Sequence, residues 1–292
     1  MNKAQEFIAD MAEQLSMPKV YLDIRALIEQ PEAQISDYED AIASDSMLSV
    51  RIIRIANSQF FGIPHRADTL YQAISMIGVI QLHDLLLISL CLRTFAGVPE
   101  QIFNLKSFWK YCIECGIAAK VIAQHSAIFS HNHFFTLGLL HEIGHAAMYL
   151  KAPEECLKIM DDCASNPYLI TTTEQKYLGF DYTQLGETMM RLWDLPSAYQ
   201  QVANFHLQPE LAHESHRLEA QIVHLAHVFC QDQVADKHQA LIQRFCEVNH
   251  QFNHLPADID QIVLEATRTH AESLLDMLWP IGSQSDVVDQ RI

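Results

Sequence analysis

The stretch Phe134-Phe-Thr-Leu137-Gly138-Leu-Leu140-His141-Glu142-Ile-Gly144-His145-Ala-Ala-Met148-Tyr-Leu150 decides the fold class. Leu137, Leu140, His141, Gly144 and Met148 recur at the three- and four-residue spacing of one helical face. His141 stands on that apolar face, with Glu142 beside it and His145 four residues on. Residues four apart on a helix are neighbours, so the pattern predicts one helix carrying both imidazoles side by side. A histidine on an apolar face is most often a core residue satisfied by hydrogen bonds. A second one a turn later adds a metal-ligand reading.

The same periodicity extends outward in both directions. Upstream, Phe108, Cys112, Cys115, Ala119 and Ile122 make a stripe within Lys106–His125. From Leu82 to Leu92 the chain is apolar nearly all round, which predicts a helix buried at the centre of its core. Leu48, Ile52 and Ile55 share a face, as do Leu70, Ala73, Ile74 and Ile77. Downstream, Tyr182–Trp193 and Leu218–Cys230 are helical in pattern. Ser36 with Glu39, Thr69 with Gln72 and Thr171 with Glu174 fit capping boxes. No run alternates as a half-buried strand would, and no repeat or low-complexity tract occurs. The expected fold is all-α.

Composition agrees. Of 292 residues, 49% are hydrophobic and only 9 are Gly and 10 Pro, which argues against disorder and against the many tight turns of an all-β fold. Lys plus Arg number 19 against 36 Asp plus Glu, a net charge of −17. A field of that sign repels nucleic-acid backbones and anionic membranes, while leaving room for a small anion at one local site. The longest apolar run, Leu85–Leu92, is too short to span a bilayer. Met1–Val20 carries Glu6, Asp10 and Glu13 and lacks the pattern of a signal peptide. A cytoplasmic location with reduced, mostly buried cysteines is expected, since the 7 Cys are odd in number and irregularly spaced.

Histidine is over-represented, with 16 residues. His141-Glu142-x-x-His145 has the spacing of zinc peptidases, in which two imidazoles take the metal and the Glu acts as general base. The extended form would need Gly and His where Met148 and Lys151 stand. The other form needs a downstream Glu, for which Glu174 is a candidate, beside a β-rich half that this chain does not show. Cys112-x-x-Cys115 is a lone pair on a helical stripe and reads as buried apolar packing. No phosphate-cradling glycine loop or nucleophile elbow occurs.

Several blocks together resemble the HDOD domain, the HD-related output domain of bacterial signalling proteins. They are Leu15, Pro18 and Val20 with Leu27 and Pro31, then Ile42-Ala-Ser-Asp45 through Arg51 to Ala56-Asn57-Ser58. Ala73-Ile74-Ser-Met-Ile77-Gly78 with Leu82 follows, then Gly138-Leu-Leu-His141-Glu142-Ile-Gly144. Leu178-Gly-Phe-Asp181, Leu185-Gly186 and Trp193-Asp-Leu-Pro196 complete the order, over roughly residues 15–230. The resemblance implies a compact multi-helix HD-like fold related to metal-dependent phosphohydrolases, in which His and Asp hold metals that activate water. HDOD members are generally regarded as having lost that chemistry and as acting through interactions.

Residue by residue, the first metal His of that pattern is replaced by Tyr111, the His-Asp pair reads His141-Glu142, and a customary Lys is His145. A mid-domain His is retained as His206, and the late Asp is His227. A metal set of His141, Glu142, His145, His206 and His227 is therefore expected. Being rich in imidazole, it suits Zn or Ni more than hard ions, with Fe and Mn as further candidates. The expected organisation is an N-terminal helical subdomain over 1–97, an HD-like subdomain over 98–230 and a C-terminal helical extension over 231–292.

The implied function is a non-catalytic signalling module that meets a protein partner, with a vestigial or ligand-binding HD pocket. No receiver, cyclase or phosphodiesterase segment is visible, so its input is expected from outside the chain. The alternative is an HD-type phosphohydrolase acting on a nucleotide or other phosphoester, with His145 as the proton donor. A zinc peptidase is the third reading.

Overall fold

In the computed structural model, residues 2–11, 13–62, 65–98, 103–126, 128, 132–164, 166–231 and 235–279 are described. Every regular element among them is an α-helix or a short 3-10 turn, with no strand. The expected all-α class is what the chain adopts. No single helix is long and apolar enough to cross a membrane.

The chain forms two compact units, both discontinuous in sequence: 1–16 with 97–269, and 17–96 with 270–292. In the second unit, helices Lys19–Ile28, Ile35–Ala43, Ser46–Ala56 and Leu70–Ile77 accompany the helix Val79–Thr94. That last helix buries Leu82 and every residue from Asp84 to Leu92, as its all-round apolarity predicts. Gly78, at φ 85°, turns the chain by 110° between the final two helices; a side chain would strain this backbone.

The first unit is built around the helix Leu105–His125, which packs against His133–Leu140. The two backbones touch. A Cβ on Gly116 would lie 2.6 Å from the Phe135 carbonyl oxygen, and one on Gly138 would lie 2.6 Å from that of Cys115. Helices Ile143–Lys151, Pro153–Cys163, Ile170–Leu178, Tyr182–Leu192, Ser197–Phe205 and Arg217–Gln231 complete the frame of the site. Trp193 ties this frame to the N-terminal segment, its indole N–H donating to the Leu15 carbonyl at 2.7 Å.

Three local expectations need correction. The Phe134–Leu150 pattern is not one helix: the chain leaves the helix at His141–Glu142 and restarts at Ile143. The apolar stripe continues through the break, so periodicity alone does not reveal it. The helix that Ser36 is expected to cap has its cap two residues earlier, at Gln34, whose N–H donates to Asp37 Oδ2 at 2.7 Å. Thr171 is no cap either. Its helix starts at Ile170, and Glu174 is drawn inward instead. Thr69 does cap its helix, accepting from Gln72 N at 3.1 Å, while the Gln72 side chain reaches back to Asp68 N.

Candidate metal centre

His141 leaves the end of its helix fully buried, and its Nδ1 lies 2.6 Å from the Gly138 carbonyl oxygen. A carbonyl only accepts, so Nδ1 carries the proton and Nε2 presents a lone pair. His206, at the end of Ser197–Phe205, is held the same way: its Nδ1 lies 3.1 Å from the Val202 and Ala203 carbonyls. Its Nε2 faces the Tyr182 hydroxyl at 2.9 Å. His227 comes from Arg217–Gln231, and its Nδ1 is 3.1 Å from His141 Nε2 and 2.9 Å from the Tyr111 hydroxyl. One ring nitrogen from each of these three histidines falls within 4.8 Å of the others, the spread of a first coordination sphere before it closes on an ion.

The trio is buried, and burial is the largest influence on all three. It pushes His141 down, His206 well down and His227 to about 3, so each imidazole is neutral at pH 7. Neutral imidazole is the form that ligates a metal.

Glu142 sits beside the trio, its Oε1 3.6 Å from His227 Nδ1 and 3.8 Å from His141 Nε2. Its other oxygen is 3.3 Å from His145 Nδ1. Burial alone would raise this carboxyl, but the His145 hydrogen bond and the surrounding imidazoles hold it well below the usual range.

His145 plays a different part from the trio. Because the helix breaks at His141–Glu142, the side-by-side arrangement expected from the H-E-x-x-H spacing is not formed. His145 instead lies between two carboxylates, with Nε2 2.9 Å from Glu174 Oε1. Its ring stacks on Tyr182 at 3.9 Å. Burial works against its charge, but Glu174 and Glu142 outweigh it and raise the imidazole to about 10. At neutral pH this is a buried imidazolium, which is not a metal ligand. Both ring nitrogens are occupied by carboxylates, which is the arrangement of an ion-paired structural group.

The sequence presents Glu174 as a peptidase candidate and as the partner of Thr171 in a capping box. Its actual role, accepting from His145 and from Tyr182 N at 2.9 Å, is set by tertiary packing between three helices. Tyr111 does reach the cluster, as its place in the pattern implies, but burial raises its phenol well above 10, so it serves as a hydrogen-bonding wall. Cys112 and Cys115 are free and buried, their thiols pushed well up by burial.

The titrations fix a pH response. In metal-free protein, His141, His206 and His227 resist protonation that the unfolded chain accepts below about pH 6.5. Folding stability therefore falls as the pH drops below about 6.5, with a limiting slope of about 4 kcal/mol per pH unit for three such groups. His145 acts in the opposite sense. Its contribution is complete below about pH 6.5 and is lost as the pH rises toward about 10. Urea unfolding across this range should show a maximum near neutrality. A stability that stays flat from about pH 7 to 5 would mean that the trio is not neutral in the fold.

A buried three-histidine cluster in an all-helical frame defines a helical protein with an imidazole-rich candidate metal site. The HDOD domain family matches residues 15–209, and the chain belongs to that family. An uncharacterized protein of Treponema pallidum (strain Nichols) is 24% identical over 205 residues, 68% of this chain and 39% of that protein. The chain thus spans about two fifths of that relative's length.

Two crystal structures share the fold. One is from Shewanella amazonensis SB2B and is named as a candidate phosphohydrolase. It has a TM-score of 0.71 at 20% identity, with 94% of this chain and 97% of that one covered. The other is from Marinobacter aquaeolei VT8 and is named as a candidate signal transduction protein. It has a TM-score of 0.72 at 17% identity, with 94% and 61% covered. At these identities the likeness is one of fold.

Proposed function

We propose that this chain is a regulatory HDOD module whose degenerate HD centre binds one divalent cation without hydrolysing phosphoesters. The observation that carries the reading is the convergence of three neutral imidazoles, two of which have their far nitrogen fixed by backbone carbonyls. A carbonyl that accepts from the far ring nitrogen aims the lone pair of the near one inward. His141, His206 and His227 would hold the ion, with Glu142 supplying negative charge at its edge. The donor set suits zinc or nickel. When bound, such an ion would lock two helix ends to the Arg217–Gln231 helix and act as a Lewis acid.

The chain's own groups argue against turnover. Hard ions of the magnesium or manganese kind need several carboxylates, and among the described residues the carboxylate at the trio, Glu142, already has one oxygen engaged by the His145 imidazolium. With both ring nitrogens facing carboxylates, His145 has no free position from which to protonate a leaving group. Output through a protein partner is supported by the family's placement among signalling proteins. Large apolar side chains at the surface of Pro153–Cys163 and Ile170–Leu178 (Leu157, Met160 and Tyr177) also support it.

The test is a phosphoester screen on protein loaded separately with zinc, nickel, iron and manganese. Aryl phosphodiesters, nucleotides and cyclic dinucleotides would serve as substrates. The expected result is no metal-dependent turnover above that of His141→Ala. Turnover that needs metal and disappears in that variant would establish the phosphohydrolase instead.

A further inference from the structure

In a chain of net charge −17, four arginines gather on a small part of the second unit: Arg51, Arg54, Arg66 and Arg93. Arg51 is 8% exposed, and its one hydrogen bond among the described residues, to the Trp279 carbonyl, is long at 3.4 Å. It forms no ion pair among the described residues. Burial and the charges of Arg93 and Arg54 weaken its hold on its proton, against the opposing charge of Asp45. Arg93 is answered by Asp45 at 3.4 Å. Arg54, one turn along the Ser46–Ala56 helix, is exposed and has no hydrogen bond or ion pair among the described residues. Asp45 and Asp68 answer two of the four charges, and the other two, on Arg51 and Arg54, leave a local positive field in a protein otherwise rich in acids.

That field opens onto a groove of about 500 Å³. Arg54, His65 and Arg66 stand on its rim, with Asp68 offsetting Arg66 at 3.7 Å. Ile53, Ala67 and Met277 give it an apolar floor. The rim is preformed: Asn57 clamps Ala67 through both backbone groups, donating to the carbonyl and accepting from the N–H at 2.8 Å each. The groove thus combines two exposed guanidinium groups, one of them a neighbour of the backbone that Asn57 clamps, with an apolar surface large enough for a flat ring; guanidinium matches phosphate oxygens. We infer that this groove binds a small phosphorylated ligand of the nucleotide class, its phosphates on Arg54 and Arg66 and its base on the apolar floor.

Isothermal titration of the full chain in magnesium-free buffer tests this with ATP, inorganic pyrophosphate and adenosine as probes. ATP is expected to bind more tightly than pyrophosphate, and adenosine most weakly. The double variant Arg54→Glu with Arg66→Glu should weaken ATP at least about tenfold. Both side chains are exposed, so the fold should tolerate the change. The double variant Lys158→Glu with Lys176→Glu, a charge-matched control at two exposed positions of the first unit, should leave ATP binding unchanged. The inference is overturned if ATP does not bind at about 1 mM, or if the double variant binds it as the parent does. Pyrophosphate binding as tightly as ATP would overturn the nucleotide assignment.

Discussion

Replacing Glu174 with glutamine is expected to cost about 3 kcal/mol of folding stability, the scale of removing one partner from a buried ion pair. Glu174 is 2% exposed and serves two donors at once, His145 Nε2 and Tyr182 N. An amide supplies one acceptor oxygen, so its NH2 would face one of these donors and leave it unsatisfied. The imidazolium would also lose the stronger of its two charge partners. The alkaline decline in stability should then flatten, because His145 would give up its proton nearer its ordinary value. Urea unfolding of the parent and variant at neutral and alkaline pH measures both effects. A variant as stable as the parent at neutral pH would mean that His145 is not charged in the fold.

A still larger loss is expected from Gly144→Ala. The added methyl would collide with the Tyr182 carbonyl oxygen and lie 2.9 Å from Gly186 N. Both are backbone atoms of the Tyr182–Leu192 helix, so no side chain can rotate away to relieve the contact. Overpacking of this kind costs about 3 kcal/mol or more when a whole helix must shift. Tyr182 also donates its backbone N–H to Glu174 and its hydroxyl faces His206, so the shift should reach the metal centre. Gly97→Ala adds the same methyl where the nearest atom, Leu150 Cδ1, is at an ordinary 3.6 Å. Its stability should stay within about 0.5 kcal/mol of the parent. Equal stabilities for the two variants in urea would refute the close approach at Gly144.

The sequence was legible wherever local pattern decides structure. The helix Val79–Thr94 announces its burial through apolar residues on every side, and Thr69 announces its cap by its neighbour three residues on. The break at His141–Glu142 could not be read this way, because the apolar stripe runs straight through it. The helix ends there while Gly144 lets the Tyr182 helix come within backbone contact, a feature formed by residues about forty positions apart.

The same limit applies to the site. His141 and His145 stand out by spacing, yet their spacing suggested a shared helical face that the fold does not make. His206 and His227 carry no local signal and entered only through the resemblance. Glu174 looked like part of a cap because Thr171 precedes it; only packing shows that it faces His145. The units are discontinuous, with residues 1–16 joining a body that otherwise begins at Gly97, and no composition shift marks such an exchange.

The central claim is that His141, His206 and His227, and not the H-E-x-x-H pair, hold one cation. The most direct measurement is elemental analysis of protein purified without chelator, repeated after loading with zinc or nickel and desalting. His206→Ala and His145→Gln should be run in parallel, with folding checked by circular dichroism. The account predicts about one equivalent of metal per parent chain, its loss in His206→Ala and its retention in His145→Gln. Retention in His206→Ala, loss in a folded His145→Gln, or no uptake by the parent at all would contradict it.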